Sequence, residues 1–366
     1  DALPILGVAW RFLRHPERSY SPQLPQFFLP EGSVAVQRCS IGERLMSTPG
    51  QQFAFYDLHP PMDDMTAEVC SGMRESPKKL SPKFFYDERG SQLFEAITRL
   101  DAYYPTRTEL GLFDAHLEEI TQTIGLDSCV VEYGSGSSLK IRKLLQALSP
   151  RAYVPIDISK DFLLHNARTL AEDFPALHVF PVCADFSQAI ALPPQTDGMH
   201  RVGFFPGSSI GNFEPEPART FLARVAGTLG IGGHLLIGVD CKKDTKTLEL
   251  AYNDPEGVTA QFNLNALVHL NRVLKTDFDP QAFAHEAHYN ESSGCIQMFL
   301  RSLVDQRVDI CGEHIHFSAG ERLHTENSYK YTPVEFGQLA GLAGFDIQRQ
   351  WLDDQSYFGL YLLRAR

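Results

Sequence analysis

A glycine loop and three residues at the ends of apolar runs have the chemistry to hold a nucleoside. The loop Gly134-Ser135-Gly136 follows the apolar run 129–133, and the next two apolar runs end at Asp157 and at Asp185-Phe186. Glycines let a backbone turn sharply and approach a ligand closely. Asp157 can accept hydrogen bonds from both hydroxyls of a ribose. At the third run, Asp185 suits an adenine amine and Phe186 suits the face of its ring.

The loop pattern distinguishes two classes of cofactor. A dinucleotide-binding loop needs a third small residue for close packing of helix on strand, and that position holds the bulky Leu139. The pattern Glu-x-Gly-x-Gly, met by Glu132, Gly134 and Gly136, is typical of enzymes that use S-adenosylmethionine, which has no phosphate to cradle. We therefore predict an S-adenosylmethionine site and keep an NAD-dependent dehydrogenase as an alternative. Both aspartates have a second interpretation, as helix caps.

Strands and helices alternate around these residues. The strand-like runs lie at 129–133, 152–157, 178–183, 201–205 and 234–239, and the helix-like runs at 108–124, 140–148, 161–173 and 217–229. Near-continuous apolar strands at this spacing predict an α/β fold, a doubly wound Rossmann-like parallel sheet with helices on both faces. A helix at 333–342 and strands at 346–353 and 357–364 follow. Their short connection makes the last strand antiparallel.

The alternation is interrupted in one segment, which predicts a second domain. Residues 243–331 mix a helix near 259–274 with strand-like runs. We assign residues 62–107 and 243–331 to a smaller α+β substrate-binding domain, and residues 108–242 and 332–366 to the cofactor-binding domain. Residues 1–61 hold eight of the 23 prolines and have no sustained periodicity. We interpret them as a poorly ordered or extraneous extension.

Composition limits the partners of the chain. The formal net charge is −12, which argues against a nucleic acid or an anionic membrane surface, since both are bound through Lys and Arg. No stretch approaches the length of a membrane span, and no signal peptide is evident. Seven scattered cysteines without a Cys-x-x-Cys pair indicate reduced thiols. We expect a cytoplasmic protein with a small-molecule substrate, and take a monomer as the working assumption.

No metal site is predicted. The closest histidine pairs are His314 with His316 and His285 with His288. Neither pair has a clear third ligand nearby, and a zinc site needs at least three protein ligands.

Several longer motifs resemble those of a known family. They are SPKFFYDERGSQLFE at 81–95, LDAYYPTRTE at 100–109, GSSIGN at 207–212, AYNDP at 251–255, VTAQFN at 258–263 and TENSYK at 325–330. In this order they resemble the histidine N-alpha-methyltransferases of ergothioneine biosynthesis. The resemblance covers about residues 73–366, which is most of the chain.

The resemblance implies a role for each matching residue. Residues implied to contact S-adenosylmethionine are Gly134, Ser135, Gly136, Lys140, Asp157, Asp185 and Phe186. Residues implied to hold the amino-acid head group are Tyr103, Gly207, Asn212 and Tyr252, and Asn212 and Tyr86 are assigned to catalysis, with Tyr86 near the amine. Glu326 and Ser328 are implied to grip the imidazole beside Met298.

The implied reaction is direct displacement at the sulfonium methyl group, which passes to the α-amine of histidine, up to the trimethylated betaine hercynine. A carboxylate such as Glu326 accepts strongly from an imidazole N–H. Two alternatives stay open: methylation of another amine, such as a tryptophan derivative, and a catalytically silent relative that only binds its ligands. Single residues also have plain structural interpretations. Tyr103 and Met298 suit a core, Glu326 a surface, and Asn212 a left-handed turn.

Overall fold

The glycine loop and both aspartates lie at one edge of a large central sheet. The structure is a computed structural model, and it describes residues 40–42, 52–58, 62–136, 139–310 and 312–366. In chain order its strands are β1 (Ser40–Gly42), β2 (Phe55–Asp57), β3 (Lys78–Lys79), β4 (Ser128–Tyr133), β5 (Ala152–Asp157), β6 (His178–Val179), β7 (Val182–Cys183), β8 (His200–Phe205), β9 (His234–Asp240), β10 (Phe283–Asn290), β11 (Cys295–Ser302), β12 (Gln306–Ile310), β13 (Glu313–Phe317), β14 (Arg322–Tyr329), β15 (Phe345–Leu352) and β16 (Phe358–Ala365).

Helices connect most of these strands. In chain order they are α1 (Met62–Arg74), α2 (Glu88–Ile97), α3 (Tyr104–Ile124), α4 (Leu139–Leu148), α5 (Lys160–Asp173), α6 (Pro215–Leu229), α7 (Thr245–Tyr252), α8 (Val258–Leu274) and α9 (Pro333–Leu342). Short 3₁₀ turns at Pro82–Phe85 and Ser209–Asn212 lie near the candidate site. Helix α3 begins four residues before the predicted start, because Pro105 fits the first turn of a helix.

The predicted α/β fold is confirmed in the central sheet. The strand order is β1-β2-β7-β5-β4-β8-β9-β16-β15, with β6 paired to β5. Strands β2, β7, β5, β4, β8 and β9 run parallel, and β16 runs antiparallel to both of its neighbours. Parallel strands joined by helices place their carboxyl ends at one edge, where ligands bind in such sheets.

Both faces of the sheet are covered, as a doubly wound arrangement requires. Successive side chains of a strand point to opposite faces. On β4, Val131 therefore packs with α6 and α9, whereas Val130 packs with α3, α4 and α5. Every residue of β4 is buried. This two-sided burial explains why the strand reads as a continuous apolar run rather than an alternating one.

Two strand predictions need correction. The single strand expected at 178–183 is divided into β6 and β7 around Phe180 and Pro181, because proline has no N–H to donate to the sheet. The sequence predicts that residues 1–61 are a poorly ordered or extraneous extension, yet β2 pairs in the central sheet, antiparallel with β1 and parallel with β7. That expectation is therefore wrong for Phe55–Asp57. Residues 1–39, 43–51 and 59–61 lie outside the described residues.

A second sheet forms beside the first. It has the order β10-β11-β14-β3, and β12 and β13 form a separate hairpin. Its core combines side chains from 65–104 with side chains from 248–323, so two distant segments of the chain pack together. Residues Cys39–Arg366 nevertheless form one continuous unit, and the division into two domains stays a prediction. None of the described helices has the length and apolar character needed to span a membrane.

Candidate active site

The glycine loop makes a tight turn where β4 ends. Gly134 has a φ of 77°, a conformation that favours glycine. A Cβ atom at this position would lie 3.4 Å from the ring of Phe186, so the turn is closely packed against the residue expected to face adenine. The N–H groups of Gly134 and Ser135 both donate to the carbonyl of Ile156, at 2.9 and 3.0 Å. These bonds fix the loop against the end of β5.

Glu132, the acidic residue of the loop motif, is fully buried beneath this turn. One of its carboxyl oxygens accepts a hydrogen bond from the Tyr153 hydroxyl, and the other has no partner among the described residues. Burial raises the pKa of Glu132 to about 8, although the hydrogen bond from Tyr153 opposes this shift. An unsatisfied buried oxygen points to a missing donor, and a bound nucleoside or a water can supply one.

The two aspartates are not helix caps. Asp157 accepts a hydrogen bond from the Ser159 N–H at 2.8 Å, and Ser159 is the residue that precedes α5. Asp185 accepts from the Ser187 N–H at 2.9 Å and lies 3.3 Å from the Lys83 ammonium. Burial raises the pKa of Asp157 to about 7. Both side chains form short local turns at the strand ends, and each carboxylate keeps lone pairs for a ligand.

Lys140 has a partner within the protein that the sequence did not indicate. Its ammonium pairs with the buried carboxylate of Glu109 on α3, and the Gly207 N–H donates to both oxygens of that carboxylate at 3.0 Å. A Cβ atom on Gly238 would overlap the same carboxylate. Lys140 therefore ties α4 to α3 and to the turn at Gly207, and its expected contact with the cofactor stays a prediction.

One cavity brings together every residue expected to bind or act on the substrate. Its lining includes Tyr86, Tyr103, Gly207, Asn212, Tyr252, Met298, Glu326 and Ser328. Tyr86 follows the 3₁₀ turn Pro82–Phe85, Tyr103 precedes α3, and Tyr252 ends α7. These positions are far apart in sequence, so only the packing of the second sheet against the 207–212 segment makes them neighbours.

Strand β14 presents two of these side chains by simple alternation. Residues two apart on a strand share a face, so Glu326 and Ser328 point the same way, and Met298 pairs with Glu326 across β11 and β14. On the opposite wall, Gly211 packs so closely on β14 that a Cβ atom there would lie 2.6 Å from the Tyr329 carbonyl oxygen. This close approach brings Asn212 to the cavity.

Glu326, which is buried, and Tyr86, which is half-buried, supply polar groups to the cavity. Among the described residues, none makes a side-chain hydrogen bond to the Glu326 carboxylate or to the Tyr86 hydroxyl. Burial raises the pKa of Glu326 to about 7, against the effect of the Lys330 charge. Burial also raises the pKa of Tyr86 well above its ordinary value, and the negative charges of Glu326 and Asp157 add to this effect. Tyr86 thus lies between the cavity and the cofactor edge.

Lys330 is the residue of this site that the sequence analysis missed. Its ammonium is fully buried and lies 2.9 Å from the Tyr252 hydroxyl, 2.8 Å from Ser328 Oγ and 2.8 Å from Asp240 Oδ2. The Tyr252 and Ser328 oxygens are 2.8 Å apart. The signal was present, because Lys330 closes the TENSYK motif and continues the alternation of Glu326 and Ser328.

The plain structural interpretations are wrong for several of these residues. Glu326 is buried rather than on the surface, and Tyr103 faces the cavity although its ring is buried. The residues of the 207–212 segment with a positive φ are Gly207 at 77° and Ser208 at 59°, and not Asn212. Tyr104 does have a structural role, because its hydroxyl donates to Asp240 at 2.8 Å.

The paired histidines do not line this cavity. His285 lies 2.9 Å from the Asn263 amide and 2.8 Å from the Tyr252 carbonyl oxygen. In the described part of the chain, no three side chains of the metal-binding types converge.

The chain matches one family and several curated proteins. The family described as "Histidine-specific methyltransferase, SAM-dependent" matches residues 65–365. A histidine N-alpha-methyltransferase of Mycobacterium tuberculosis is 41% identical over 301 residues, which cover 81% of this chain and 93% of that protein. Its counterpart from Mycolicibacterium smegmatis is 39% identical over the same shares. The ergothioneine biosynthesis protein 1 of Neurospora crassa is 33% identical over 82% of this chain and 35% of that protein.

The family match spans all of the cavity residues, the second sheet and the central sheet from β4 to β16, and two relatives exceed 30% identity over most of their length. The chain belongs to the family of S-adenosylmethionine-dependent, histidine-specific methyltransferases.

Proposed function

We propose that this protein is a histidine N-alpha-methyltransferase that transfers up to three methyl groups from S-adenosylmethionine to the α-amine of histidine. The product of complete transfer is the betaine hercynine, an intermediate suited to ergothioneine biosynthesis. The observation that carries the proposal is a cavity in which the buried Glu326 carboxyl group faces the same space as Tyr103, Asn212 and Tyr252.

The residues at the sheet edge fit S-adenosylmethionine. The tight turn at Gly134 has a positive φ that disfavours a side chain beside Phe186, and Asp157 is a half-buried carboxyl at the end of β5. Asp157 would accept from the ribose hydroxyls, while Asp185 and Phe186 would hold the adenine. When bound, S-adenosylmethionine would supply a methyl group that an amine lone pair can take directly, with S-adenosylhomocysteine as the leaving group and no covalent enzyme intermediate.

The head group of a free amino acid suits the middle of the cavity. Its α-carboxylate needs donors, and Tyr103, Asn212 and Tyr252 supply phenol O–H and amide N–H groups. The Gly207 N–H is already used by Glu109, so Gly207 contributes room for the substrate rather than a donor. Asn212 would thereby act in catalysis by fixing the amino acid in the orientation for attack.

Selection of histidine falls to Glu326. An imidazole N–H would supply the hydrogen bond that the buried carboxylate lacks in the described structure. A substrate without such a donor would leave Glu326 charged, buried and unpaired, which is a strong basis for rejection. Ser328 and Met298 complete the wall on the same side.

The chain's residues must place the amine and exclude water rather than remove a proton with a strong base. Tyr86 stays protonated at neutral pH because burial raises its pKa well above the ordinary value, so its hydroxyl can orient the amine or a water molecule but is no general base. The amine loses its proton to water before each transfer. Alignment and exclusion of water then account for most of the rate.

The remaining proposals concern the protein's surroundings. We propose that the protein is a monomer and that it works in the reducing environment of the cytoplasm. We also propose that it binds no nucleic acid. Five buried cysteines have free thiols in the described residues, and the net charge of −12 opposes binding to polyanions.

Mass spectrometry tests the proposed function directly. The purified protein is incubated with S-adenosylmethionine and, separately, with each of the twenty amino acids and with tryptophan-derived amines. We expect one to three added methyl groups on histidine and none on the others. Methylation of a different amine would replace histidine as the substrate. Binding of S-adenosylmethionine without any methylation would identify a silent relative instead.

A further inference from the structure

The Lys330 ammonium has a complete set of hydrogen-bond partners. An ammonium has three N–H donors and no acceptor, and Lys330 has three oxygen partners at 2.8–2.9 Å, namely the Tyr252 hydroxyl, Ser328 Oγ and Asp240 Oδ2. The side chains of Lys330 and Asp240 are both fully buried. Burial opposes the charged form of Lys330, but Asp240 and Tyr252 together outweigh burial and raise the pKa above the ordinary lysine value. The ammonium is therefore a fixed donor.

The Lys330 ammonium restricts which hydrogen bonds the Ser328 and Tyr252 hydroxyls can donate. Ser328 Oγ and the Tyr252 hydroxyl each accept a hydrogen bond from Lys330 and lie 2.8 Å from one another. One of the two must then donate its only proton to the other. Just one hydroxyl proton of the pair remains to point into the cavity, and the side chain that has given its proton away can only accept from a ligand.

We infer that Lys330 is a positioning residue, which holds Ser328 as an acceptor toward the imidazole and Tyr252 as the donor toward the carboxylate. The inference rests on the proposed function, because the carboxylate of an amino acid needs the Tyr252 proton. Ser328 must then donate to Tyr252, and it keeps only a lone pair for the ring. Ser328 and Glu326 are thus both acceptors, so an imidazole held by both needs an N–H on each nitrogen. The bound imidazole and Glu326 together therefore hold one proton more than a neutral imidazole and an ionised carboxylate would hold.

When Lys330 is replaced, the ammonium of Lys243 still lies beside Asp240 and compensates its negative charge. On its other side Asp240 Oδ1 lies 2.6 Å from the Lys243 ammonium and 2.8 Å from the Tyr104 hydroxyl. Lys243 is buried as Lys330 is, but among the described residues its partners are Tyr104, Asp240 and the Cys241 carbonyl. Lys243→Met is therefore a matched control, since it removes an ammonium from Asp240 without touching Tyr252 or Ser328.

The first test is titration of the full-length chain with histidine in the presence of S-adenosylhomocysteine. Loss of two hydrogen bonds to a charged group predicts that Lys330→Met weakens histidine binding by roughly tenfold to a hundredfold, while Lys243→Met and the binding of S-adenosylhomocysteine alone stay unchanged. In a Ser328→Ala background the Lys330→Met effect must shrink, because Lys330 acts through Ser328 and Tyr252. Equal losses in both lysine variants, or fully additive effects with Ser328→Ala, would overturn the inference.

The second test counts protons and does not need a Lys330 variant to fold. Titrations at about pH 8 in buffers of different ionisation enthalpy give the protons taken up on histidine binding, and at this pH the free imidazole is neutral. The Ser328→Ala variant lacks this acceptor. Histidine binding to the variant must therefore take up about one proton fewer than binding to the unmodified chain. The other titratable groups facing Glu326 stay protonated in both proteins, because their pKa values are raised: Tyr86, Tyr103, Tyr252, Cys295 and Lys330.

Equal proton uptake in the two proteins would overturn the acceptor role of Ser328. If the unmodified chain binds no histidine at all, the proposed function fails together with this inference. If it binds histidine normally and only the variants behave otherwise than expected, the proposed function stands and the inference alone fails.

Discussion

Burial of the Glu326 carboxyl group destabilises the folded protein when the group is ionised. The same burial favours a ligand that donates a hydrogen bond to it. Its pKa is raised from 4.5 to about 7 by burial. The folded protein therefore binds more protons at this group than the unfolded chain does between these two pH values. Unfolding free energy must fall as pH rises through that window, because the folded state has to hold an unpaired buried charge. The same unpaired charge is what a histidine ring would satisfy.

Replacement of this carboxyl should stabilise the free protein in a pH-dependent way. Glu326→Gln removes the charge and keeps the shape. Relative to the unmodified chain, we expect the variant to gain about 2 kcal/mol of unfolding free energy between pH 5 and pH 8. Urea unfolding of both proteins at the two pH values measures the change. A constant difference would show that Glu326 titrates normally in the folded state.

The same substitution should weaken histidine selectively. A neutral amide cannot replace the charge-assisted hydrogen bond, so we expect Glu326→Gln to raise the KM for histidine roughly tenfold to a hundredfold. The affinity for S-adenosylhomocysteine should not change, because Glu326 lines the substrate cavity. Initial rates and a binding titration check both expectations. An unchanged KM would remove Glu326 from imidazole recognition.

At the scale of elements, the site depends on how closely the 207–212 segment approaches strand β14. Gly211 makes that approach, with β14 backbone atoms at 2.6 and 3.1 Å from where a Cβ atom would lie. The same segment carries the Gly207 N–H to Glu109 and places Asn212 at the cavity. The wall of the cavity is therefore set by backbone packing, and not only by the side chains that line it.

A methyl group at Gly211 should separate these two elements. We expect Gly211→Ala to cost about 1–3 kcal/mol of stability and to weaken histidine binding, because Asn212 must move away from β14. Gly227→Ala on α6 is the matched control, since a Cβ atom there meets nothing within 4 Å. Thermal unfolding and histidine titration distinguish them. Equal behaviour of the two variants would mean that the segment tolerates displacement.

The sequence predicts the central sheet well, because its strands are buried on both faces and read as apolar runs. It also places Asp157 and Asp185 correctly at strand ends, since a strand end follows directly from the pattern. It does not predict β2, whose three residues are too few to show a period. The partners of Lys140 and Lys330 were also missed. Buried ion pairs join distant segments, and local spacing has no means of indicating them.

At the scale of the whole molecule, the cavity is built from segments that only the complete fold unites. The cavity is lined by residues from Tyr86 to β14. Lys83, three residues before Tyr86, also lies 3.3 Å from Asp185, which follows β7. Ligands that fill this space bind the folded state and not the unfolded chain. Their binding must therefore raise the apparent stability of the whole unit.

Ligand-induced stabilisation offers a simple check of the proposed pair of ligands. At about one hundred times its dissociation constant, a ligand adds about 2.7 kcal/mol, which corresponds to roughly 5–11 °C in melting temperature for a large domain. We expect S-adenosylhomocysteine to raise the melting temperature and histidine to raise it further, whereas tryptophan should add nothing. Thermal unfolding with each combination measures this. A larger effect of tryptophan than of histidine would favour the tryptophan-derived amines.

The position of β16 has a consequence for the order in which the newly made chain can fold. Strand β9 receives its second neighbour only when β16 emerges from the ribosome, about 120 residues later. At about 5–20 residues per second, this takes roughly 6 to 24 s. During that interval β9, which is buried along its whole length in the finished protein, exposes an apolar edge. Until β16 pairs with it, this edge of β9 is therefore a place where the growing chain can pair with another chain.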